Sequence, residues 1–567
     1  MAMRLFAATL GLTMLAGLAS ACVSAPRRFD GEIVWRVNDR HPIPKPEKRW
    51  ASKYWDGADN TFFRPFSHAF LLNRSNPAQN VNALGGVPNS SWYTNRLSRW
   101  SVSPQRVARG PCERERMPRG DRWIVVGGAL AEQNRRIRVV IEEEGRRSEV
   151  YRLKFEGREQ TVRSTAAEVL ASRIFWAGGF ETRCNRIVYF DPDHLAIDRT
   201  AKFKDGLGQG RPITRGTLRK VMKFAPRDDD GRVRAAAADQ LPGERLGPFS
   251  YFGTREDDLN DVIRHENRRE LRGSRLLAAW INHFDSRTHN TATTFIRQEG
   301  GKRGYVQHFL IGFTDSLGAQ WRFEEANRRF GHSWYLDFGD ITADFLSLGI
   351  IERPWNAATE QSEAPIFGYF GVEGFDPADW KAGYRNPAFV QMDERDAFWA
   401  TNIISKFSVE HIEAIVDEAR FENDLFDRFL RRVLVGRRDR IVETYFKQLS
   451  PLVKPRVRER QLCVTDAWVA RDYGPAEAAF YDYRFSRRGE RRQPWLDLER
   501  ESSPDGEVCV ELPSYETWTR RRGDLVVQMR VRRADQRSEA LPVRFFLRPT
   551  SRESFRTVGI LRSGNAP

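Results

Sequence analysis

One short segment constrains the fold of this chain more than any other. Leu277, Trp280 and Ile281 are apolar and recur at helical spacing, so we expect a helix with one buried face that fixes the direction of the following loop. That loop follows the pattern H-x-D-x-x-x-x-N, in which Asp285 precedes Asn290. Two polar residues at this spacing also occur by chance in an ordinary polar loop at a helix end. The interpretation of the pair therefore depends on the rest of the chain.

The region upstream of this helix predicts three strands in succession. Residues 123–126 form a first apolar run, which we expect to end at Gly127 and Gly128. Residues 137–141 form a second apolar-alternating run, and a glycine turn leads to a third strand at residues 149–155. The three strands predict a small antiparallel sheet.

The third strand and the helix after it carry a basic and an acidic residue that could meet. Alternation along the strand places Lys154 on the face opposite its aromatic and aliphatic residues. We expect the helix to begin at a cap formed by Ser164 and Thr165, with Glu168 at the edge of its apolar stripe. A carboxylate there could fix the position of the lysine. The alternative is a surface lysine and an ordinary helix glutamate.

The order of these elements resembles a known fold. Strand, glycine turn, strand, lysine strand, glutamate helix, a strand at residues 186–190 and a long helix into H-x-D-x-x-x-x-N resemble the protein-kinase-like fold over residues 116–450. The pattern is more similar to secreted and spore-coat kinases and to bacterial HipA-like kinases than to eukaryotic protein kinases. The runs F-F-R-P-F-S-H at Phe62–His68 and N-V-N-A-L-G at Asn80–Gly85 resemble a group of bacterial envelope lipoproteins. That second likeness implies no activity.

The kinase-like resemblance implies a role for each candidate residue. Asp285 would accept the proton of the acceptor hydroxyl, and Lys154, held by Glu168, would bind the nucleotide phosphates. Asn290 would hold magnesium. The implied nucleotide-binding residues are Lys154, Gly127 and Gly128. ATP and magnesium are the implied cofactors if the protein is active, and none is implied otherwise.

Two departures from the kinase pattern bear on activity. Where the fold places a metal-binding aspartate in D-F-G, this chain has Gly312-Phe313-Thr314-Asp315. In strict register the metal loses its carboxylate, whereas a shifted backbone would make Asp315 the ligand. Gly127-Gly128 also falls short of G-x-G-x-x-G, so backbone amides would hold phosphates less closely. The sequence is compatible with both an active kinase and an inactive pseudokinase.

Other catalytic chemistries find less support. His283, Asp285 and His289 could be metal ligands, but no third histidine or cysteine is nearby in sequence and the spacing is not one typical of zinc sites. The sequence contains no G-x-S-x-G, H-E-x-x-H or C-x-x-C pattern. Hydrolase, zinc-protease and thioredoxin-like functions therefore lack a motif.

The first residues predict export. An early Arg4, an apolar stretch at residues 5–18 and the small residues 19–21 indicate a signal peptide over residues 1–21, because the apolar stretch is too short to span a membrane. Cys22 at the junction resembles the acylated first residue of a bacterial lipoprotein, although the small residues would also suit ordinary signal-peptidase cleavage. We expect a cell-envelope protein, most simply an outer-membrane lipoprotein attached through this lipid anchor.

Four cysteines remain after Cys22, and an oxidising compartment makes them candidates for disulfides. Four cysteines permit three connectivities. Proximity within the predicted domains favours pairing Cys112 with Cys184 and Cys463 with Cys509.

The remaining sequence completes an α+β architecture. We expect a two-lobed kinase-like body with an irregular N-terminal extension and a C-terminal all-β sandwich, since residues 396–450 have helical apolar spacing and short alternating runs follow residue 462. The expected boundaries are 22–115 for the extension, 116–195 for the small lobe, 196–452 for the mostly helical large lobe and 455–567 for the sandwich.

The net charge of +16 raises the question of nucleic acid. Arginines are interspersed with many carboxylates and no recognised nucleic-acid motif occurs, so we expect no nucleic-acid partner and favour attraction to anionic lipid or polysaccharide. Two functions remain. One is an exported kinase-like phosphotransferase acting on an unidentified protein, glycan or small molecule. The other is an inactive pseudokinase-like lipoprotein that serves as a binding or scaffold protein in the envelope.

Overall fold

The computed structural model describes Phe29 and most of the chain from residue 32 onward. The described ranges are 32–69, 76–113, 117, 122–131, 134–158, 161–204, 209–298, 301–318, 321, 324–353, 355–356, 358–487, 494–498, 503–514, 524–534, 539–551 and 554–562. The predicted signal peptide and Cys22 lie outside the described residues. The chain divides into the compact units Met1–Ile33 and Val34–Pro567, and the fold below is that of the second.

The second unit is a mixed α+β structure. Its described strands are β1 (Arg122–Ala131), β2 (Asn134–Glu143), β3 (Arg146–Phe155), β4 (Asn185–Phe190), β5 (Leu195–Lys204), β6 (Gly210–Pro212), β7 (Val233–Ala238), β8 (Glu244–Gly247), β9 (Thr291–Arg297), β10 (Gly304–Leu310), β11 (Leu452–Arg458), β12 (Gln461–Asp466), β13 (Ala479–Arg487), β14 (Leu496–Asp497), β15 (Glu507–Glu511), β16 (Leu525–Arg533), β17 (Val543–Pro549) and β18 (Phe555–Arg562). Its described α-helices are α1 (Lys53–Ala58), α2 (Arg64–Ala69), α3 (Pro104–Arg109), α4 (Arg163–Gly178), α5 (Arg215–Val221), α6 (Arg269–Trp280), α7 (Glu324–Arg329), α8 (Phe338–Leu346), α9 (Glu394–Ile404), α10 (Val409–Asp417) and α11 (Asp424–Gln448).

A seven-stranded sheet with the order β4-β7-β3-β2-β1-β5-β6 carries the predicted lysine strand. One face of the sheet is apolar and includes Tyr151, Leu153 and Phe155, and Leu218 and Val221 of α5 belong to the same buried cluster. Alternation then directs Lys154 to the opposite face. The sequence pattern predicted this orientation.

The first strand extends past its predicted end. We expected it to stop at Gly127 and Gly128, but β1 continues to Ala131 and both glycines pair with β2, with a register shift between Val125 and Gly127. Glycine suits both positions because neighbouring groups lie so close to the backbone that a side chain would collide with them. A Cβ on Gly127 would collide with the guanidinium of Arg138.

The sheet also extends beyond the predicted small-lobe boundary at residue 195. Strand β7, with the sequence Val-Arg-Ala-Ala-Ala-Ala, lies between β4 and β3 and is buried along its whole length. An alanine run has helical propensity and no alternation, so its sequence gave no signal for a strand. Tertiary packing decided its conformation.

The main apolar core lies among the helices α4, α6, α9, α10 and α11. The N-terminal extension contributes to it directly, since Trp92 and Tyr93 are buried there. The extension is irregular over most of its described length, but α1, a π-helical turn at Asp59–Phe63 and α2 form one helical segment. In the part of the chain that the structure describes, no helix is long and apolar enough to cross a membrane.

The C-terminal region contains two further sheets with the orders β11-β12-β15 and β14-β13-β16-β17-β18. Residues of both sheets share one buried apolar cluster. The expected strands near residues 462, 508, 525, 543 and 558 are present, and β11, β13 and β14 add to them. Cys463 pairs with Cys509 between neighbouring strands, and Cys112 pairs with Cys184. The two pairs are the ones that domain proximity predicted.

Candidate functional site

Lys154 and Glu168 form a buried ion pair. Nζ of Lys154 donates to Oε2 of Glu168 at 2.7 Å, and both side chains are buried. Burial lowers the pKa of Lys154 to about 8, although Glu168 opposes the shift. Burial also disfavours the charged form of Glu168, but the ammonium of Lys154 outweighs it and lowers the pKa of the carboxyl. The pair expected from the sequence is therefore present in the fold.

The start of helix α4 is held by a residue that the sequence did not indicate. We expected Ser164 and Thr165 to cap the helix, but both lie inside it. The carboxylate of Glu156 instead accepts from the hydroxyl of Ser164, and from the backbone N–H of Thr165 at 3.0 Å and its hydroxyl at 2.5 Å. Glu156 is fully buried and follows β3 directly. It thereby ties the helix that carries Glu168 to the strand that carries Lys154.

The loop Gly312-Phe313-Thr314-Asp315 is fastened to the same helix. Oε2 of Glu168 accepts from the backbone N–H of Phe313 at 3.0 Å. The guanidinium of Arg163, at the start of α4, donates to the carbonyl of Thr314 at 3.0 Å and to that of Ser316 at 2.8 Å. The ring of Phe313 stacks on Phe175 of α4 with a centroid distance of 5.1 Å. The position of this loop therefore follows the position of α4.

Asp285 is buried in the loop that follows α6, as the sequence predicted. Nδ2 of Asn290 donates to both the backbone oxygen and Oδ2 of Asp285, each at 2.7 Å. The guanidinium of Arg287 contacts Oδ1, and Nε2 of His289 lies 3.7 Å from Oδ2. Burial opposes ionisation of Asp285, but His289 and Arg287 overcome it and lower the pKa of the carboxyl. Asp285 is therefore an ionised carboxylate at neutral pH.

The N-terminal extension contributes to this loop. The hydroxyl of Thr288 donates to Oδ1 of Asp56 at 2.8 Å, and the hydroxyl of Tyr384 accepts from Arg287 at 3.2 Å. Asp56 lies in α1, more than two hundred residues earlier in the chain. This contact could not be predicted from the sequence, because nothing local to either residue requires it.

Asp315 interacts with both Asp285 and Lys154. Burial raises the pKa of Asp315, and the negative charge of Asp285 raises it further, while Arg163, Lys154 and Arg287 act in the opposite direction. Two carboxylates that disfavour each other's charge are stabilised by a cation bound near both. The structure thus brings Lys154, Asp285 and Asp315 into one electrostatic environment.

Gly312 cannot carry the missing carboxylate in this backbone. Its φ is +78°, and a Cβ there would lie 2.5 Å from Oδ1 of Asn290. The space that an aspartate would need at this position is filled by Asn290. The residue available to supply a carboxylate from this loop is therefore Asp315.

The donor set fits a small hard cation such as magnesium. Asp315 can offer a carboxylate oxygen, and Asn290 keeps Oδ1 available because its Nδ2 is used by Asp285. Oδ1 of Asp285 is instead paired with the guanidinium of Arg287. Oxygen donors of this kind suit magnesium.

His283 does not belong to a metal cluster. Its Nδ1 lies 3.0 Å from the hydroxyl of Ser316, and burial lowers the pKa of the ring to about 4, so the ring is neutral. Among the described residues, the histidine, cysteine and carboxylate side chains that gather closely in a group of three are Cys463, Glu507 and Cys509, two of which are joined in a disulfide. The alternative of a zinc site at His283, Asp285 and His289 is not supported by this geometry.

Gly127 and Gly128 lie within β1 rather than in a turn. The guanidinium of Arg138 covers Gly127, and the ring of Phe203 lies against Gly128. Residues 132–133, between β1 and β2, lie outside the described residues. The two glycines permit close side-chain packing within β1, where the sequence predicted the end of the strand.

Comparisons with known proteins give little further guidance. No protein-family model matches the chain, and no curated protein matches it. Among solved structures, the chain is similar to the crystal structure of a Helicobacter pylori proinflammatory kinase, CtkA, at 13% sequence identity. The match covers 54% of this chain and 92% of that chain, with a TM-score of 0.28.

Proposed function

We propose that this protein is a kinase-like phosphotransferase. In this proposal, the seven-stranded sheet and α4 form the small lobe, and the helices around α6 and α11 form the large lobe. The two C-terminal sheets form a β-sandwich outside the catalytic body. The small lobe would extend from about residue 116 to Ala238, beyond the boundary that the sequence indicated, because β7 belongs to its sheet.

One observation carries the proposal: Glu168 joins the lysine strand to the loop of Asp315. The same oxygen accepts from Nζ of Lys154 and from the backbone N–H of Phe313. Asp315, two residues further on, is influenced by the charges of both Lys154 and Asp285. These contacts and charges support the proposal, because phosphoryl transfer needs a lysine, a base and a metal-binding carboxylate held near one another.

Each residue has a defined part in this proposal. Lys154 holds the phosphates of ATP and is kept in place by Glu168. Asp285 remains ionised and accepts the proton of the acceptor hydroxyl, while Arg287 beside it stabilises negative charge on the transferred group. Asn290 and Asp315 would hold magnesium, which, when bound, supplies positive charge that neutralises the phosphates.

One observation favours the second function, an inactive binding or scaffold protein. Gly312 leaves the usual position of the metal-binding carboxylate without a side chain, and Asn290 fills that space. A protein that had lost metal binding would keep the fold and the Lys154–Glu168 pair without turnover. The effect of the Asp285 charge on the pKa of Asp315 is what leads us to prefer the active form.

Export and attachment to the envelope complete the proposal. The two disulfides are consistent with an oxidising compartment. If Cys22 is acylated, a Cys22→Ala variant should leave the membrane fraction, because lipid chains at this residue provide the stable attachment. Cell fractionation tests this, and unchanged membrane association of the variant would argue against the anchor.

Magnesium-dependent nucleotide binding tests the proposed site. ATP at a hundredfold excess over Kd should raise the free energy of unfolding by about 2.7 kcal/mol, measured as a thermal shift with and without magnesium. Asp315→Asn should remove the magnesium-dependent part of the shift. Asp482→Asn, which alters a buried carboxylate in a C-terminal sheet, should leave it unchanged. If wild type shows no shift with magnesium and ATP, the inactive alternative is the better account.

A further inference from the structure

The face of the seven-stranded sheet that carries Lys154 also carries several arginines. In the register of β2 and β3, Arg136 stands opposite Lys154 and Arg138 stands opposite Arg152. Directly opposed residues of antiparallel strands project from the same face. Two cross-strand pairs of basic residues therefore lie side by side on this face.

Small residues border these four cations on both sides. On β1, Gly127 stands opposite Arg138 and Ala129 opposite Arg136. On β7, Ala238 stands opposite Arg152 and Ala236 opposite Lys154. The flanking strands thus contribute no bulky side chain and no carboxylate to this part of the face. Neighbours within the sheet do not neutralise the basic residues.

Two further arginines strengthen the positive charge. Burial, together with the charges of Arg136, Arg183 and Arg245, lowers the pKa of Arg152 to about 9, although Glu168 opposes the shift. Burial likewise lowers the pKa of Arg183, to about 10, with Arg245 the next contributor. Both guanidiniums remain charged at neutral pH. Arg245 belongs to β8, in a different sheet, so the basic cluster is built from more than one part of the fold.

The carboxylates that act on this cluster already have partners. Glu168 is bonded to Lys154 and to the backbone of Phe313, and Asp239 is paired with Arg186 at 2.6 Å. Nε of Arg152 has no hydrogen-bond partner among the described residues. Crowded like charges with unused donors cost stability in the absence of a ligand, and a multivalent anion removes that cost.

We propose that this face, lined by Arg136, Arg138, Arg152, Lys154, Arg183 and Arg245, binds a ligand with several clustered phosphate groups. The residue two positions before Lys154 on the same face is Arg152, so the surface beside the lysine is basic. A buried nucleotide base needs apolar surface on its faces, so this basic part of the face suits phosphate groups and not a base. The ligand class is therefore a condensed phosphate chain or a ring bearing several phosphates, which share this chemistry.

The inference shares Lys154 with the proposed phosphotransferase site but requires no phosphoryl transfer. Calorimetric titration of the mature full-length chain without magnesium tests it directly, with inorganic tripolyphosphate and myo-inositol hexakisphosphate as the probes. The two probes distinguish a chain of phosphates from a phosphorylated ring. Binding should weaken at higher salt, since the contacts are ionic.

Substitutions inside and outside the basic cluster test whether binding depends on the cluster or on surface charge in general. Arg152→Ala and Arg136→Ala should each weaken the better probe by about tenfold or more, because each removes a charge-assisted hydrogen bond. Arg147→Ala is the control, because it removes a charge from the exposed start of β3, about 16 Å along the strand from Arg152. It should leave the affinity within about twofold. Without ligand, Arg152→Ala should raise the melting temperature by relieving repulsion, which also shows that the variant is folded.

Several results would overturn the inference. It fails if neither probe binds wild type, if Arg152→Ala and Arg136→Ala bind as wild type does, or if uncharged adenosine displaces the bound probe. Wild type that binds a probe but shows no phosphoryl transfer would count against the phosphotransferase proposal and leave this inference standing.

Discussion

The chemistry of the candidate site depends on the protonation states of a few buried side chains. Lys154 is protonated at neutral pH, but its pKa of about 8 lies well below the usual value because the side chain is buried. Below pH 8 the lysine is charged in both folded and unfolded chains, and the cost of its burial is present in full. As pH rises from 8 toward the unfolded value near 10.4, that cost disappears.

This titration predicts opposite effects of pH on stability and on ligand binding. Affinity for ATP or tripolyphosphate should fall by about fivefold between pH 8 and pH 9, because a group with a pKa of 8 is half protonated at the first and roughly a tenth protonated at the second. Titrations across this range should show the fall in wild type. Lys154→Ala should bind more weakly at pH 7 and lack this step. An equal pH dependence in both proteins would contradict the assignment.

Gly312 offers a second test at the scale of one residue. Gly312→Ala should destabilise the protein and disturb the loop of Asp285, since the new Cβ meets Asn290 and φ is positive. Gly145→Ala is the matched control, because its φ is +74° but nothing lies within 4 Å of the added Cβ. Urea denaturation should show a larger loss for Gly312→Ala, by about 1–3 kcal/mol. Equal losses of unfolding free energy in the two variants would mean that the collision with Asn290 does not affect stability.

At the scale of elements, α4 connects most of the site. It carries Glu168 and Arg163, its first turn binds Glu156, and Phe175 packs on Phe313. The helix is buried along its whole length, so its position is set by packing on all sides. A shift of α4 would move Lys154 and the loop of Asp315 relative to each other.

Glu156→Gln tests this role of the helix start. The amide can no longer accept from the hydroxyls and the N–H with full charge, so the free energy of unfolding should fall by about 1–3 kcal/mol. Affinity for ATP with magnesium should also weaken, because α4 loses its tie to β3. Ser103→Ala, which removes the cap of helix α3, should cost about 1 kcal/mol without changing affinity. Unchanged affinity in Glu156→Gln would refute the proposed role.

The sequence predicted the elements that depend on local patterns and missed those that depend on contacts between elements. Strand β3, helix α4 and the loop after α6 follow from local periodicity and spacing, and so do the positions of Lys154, Glu168, Asp285 and Asn290. Strand β7 could not be predicted, since an alanine run takes its conformation from its neighbours. Glu156 and Asp56 were missed for a similar reason, because their roles arise from contacts between elements.

For the whole molecule, the N-terminal extension is part of the folded body. Trp92 and Tyr93 lie in the main core, Asp56 supports the loop of Asp285, and the disulfide Cys112–Cys184 joins the extension to the start of β4. We therefore propose that removing residues before about 110 would unfold the body that carries the candidate site. The two C-terminal sheets have an apolar core of their own.

The central claim is that these residues form one site that transfers phosphate. Turnover of γ-labelled ATP by the mature chain with magnesium, measured as autophosphorylation or phosphate release, tests it most directly when nucleotide affinity is measured in parallel. We predict that Asp285→Asn lowers turnover by roughly 100- to 10,000-fold while affinity changes little, because a general base acts in the transition state. Wild type without turnover, or Asp285→Asn with wild-type turnover, would contradict the claim.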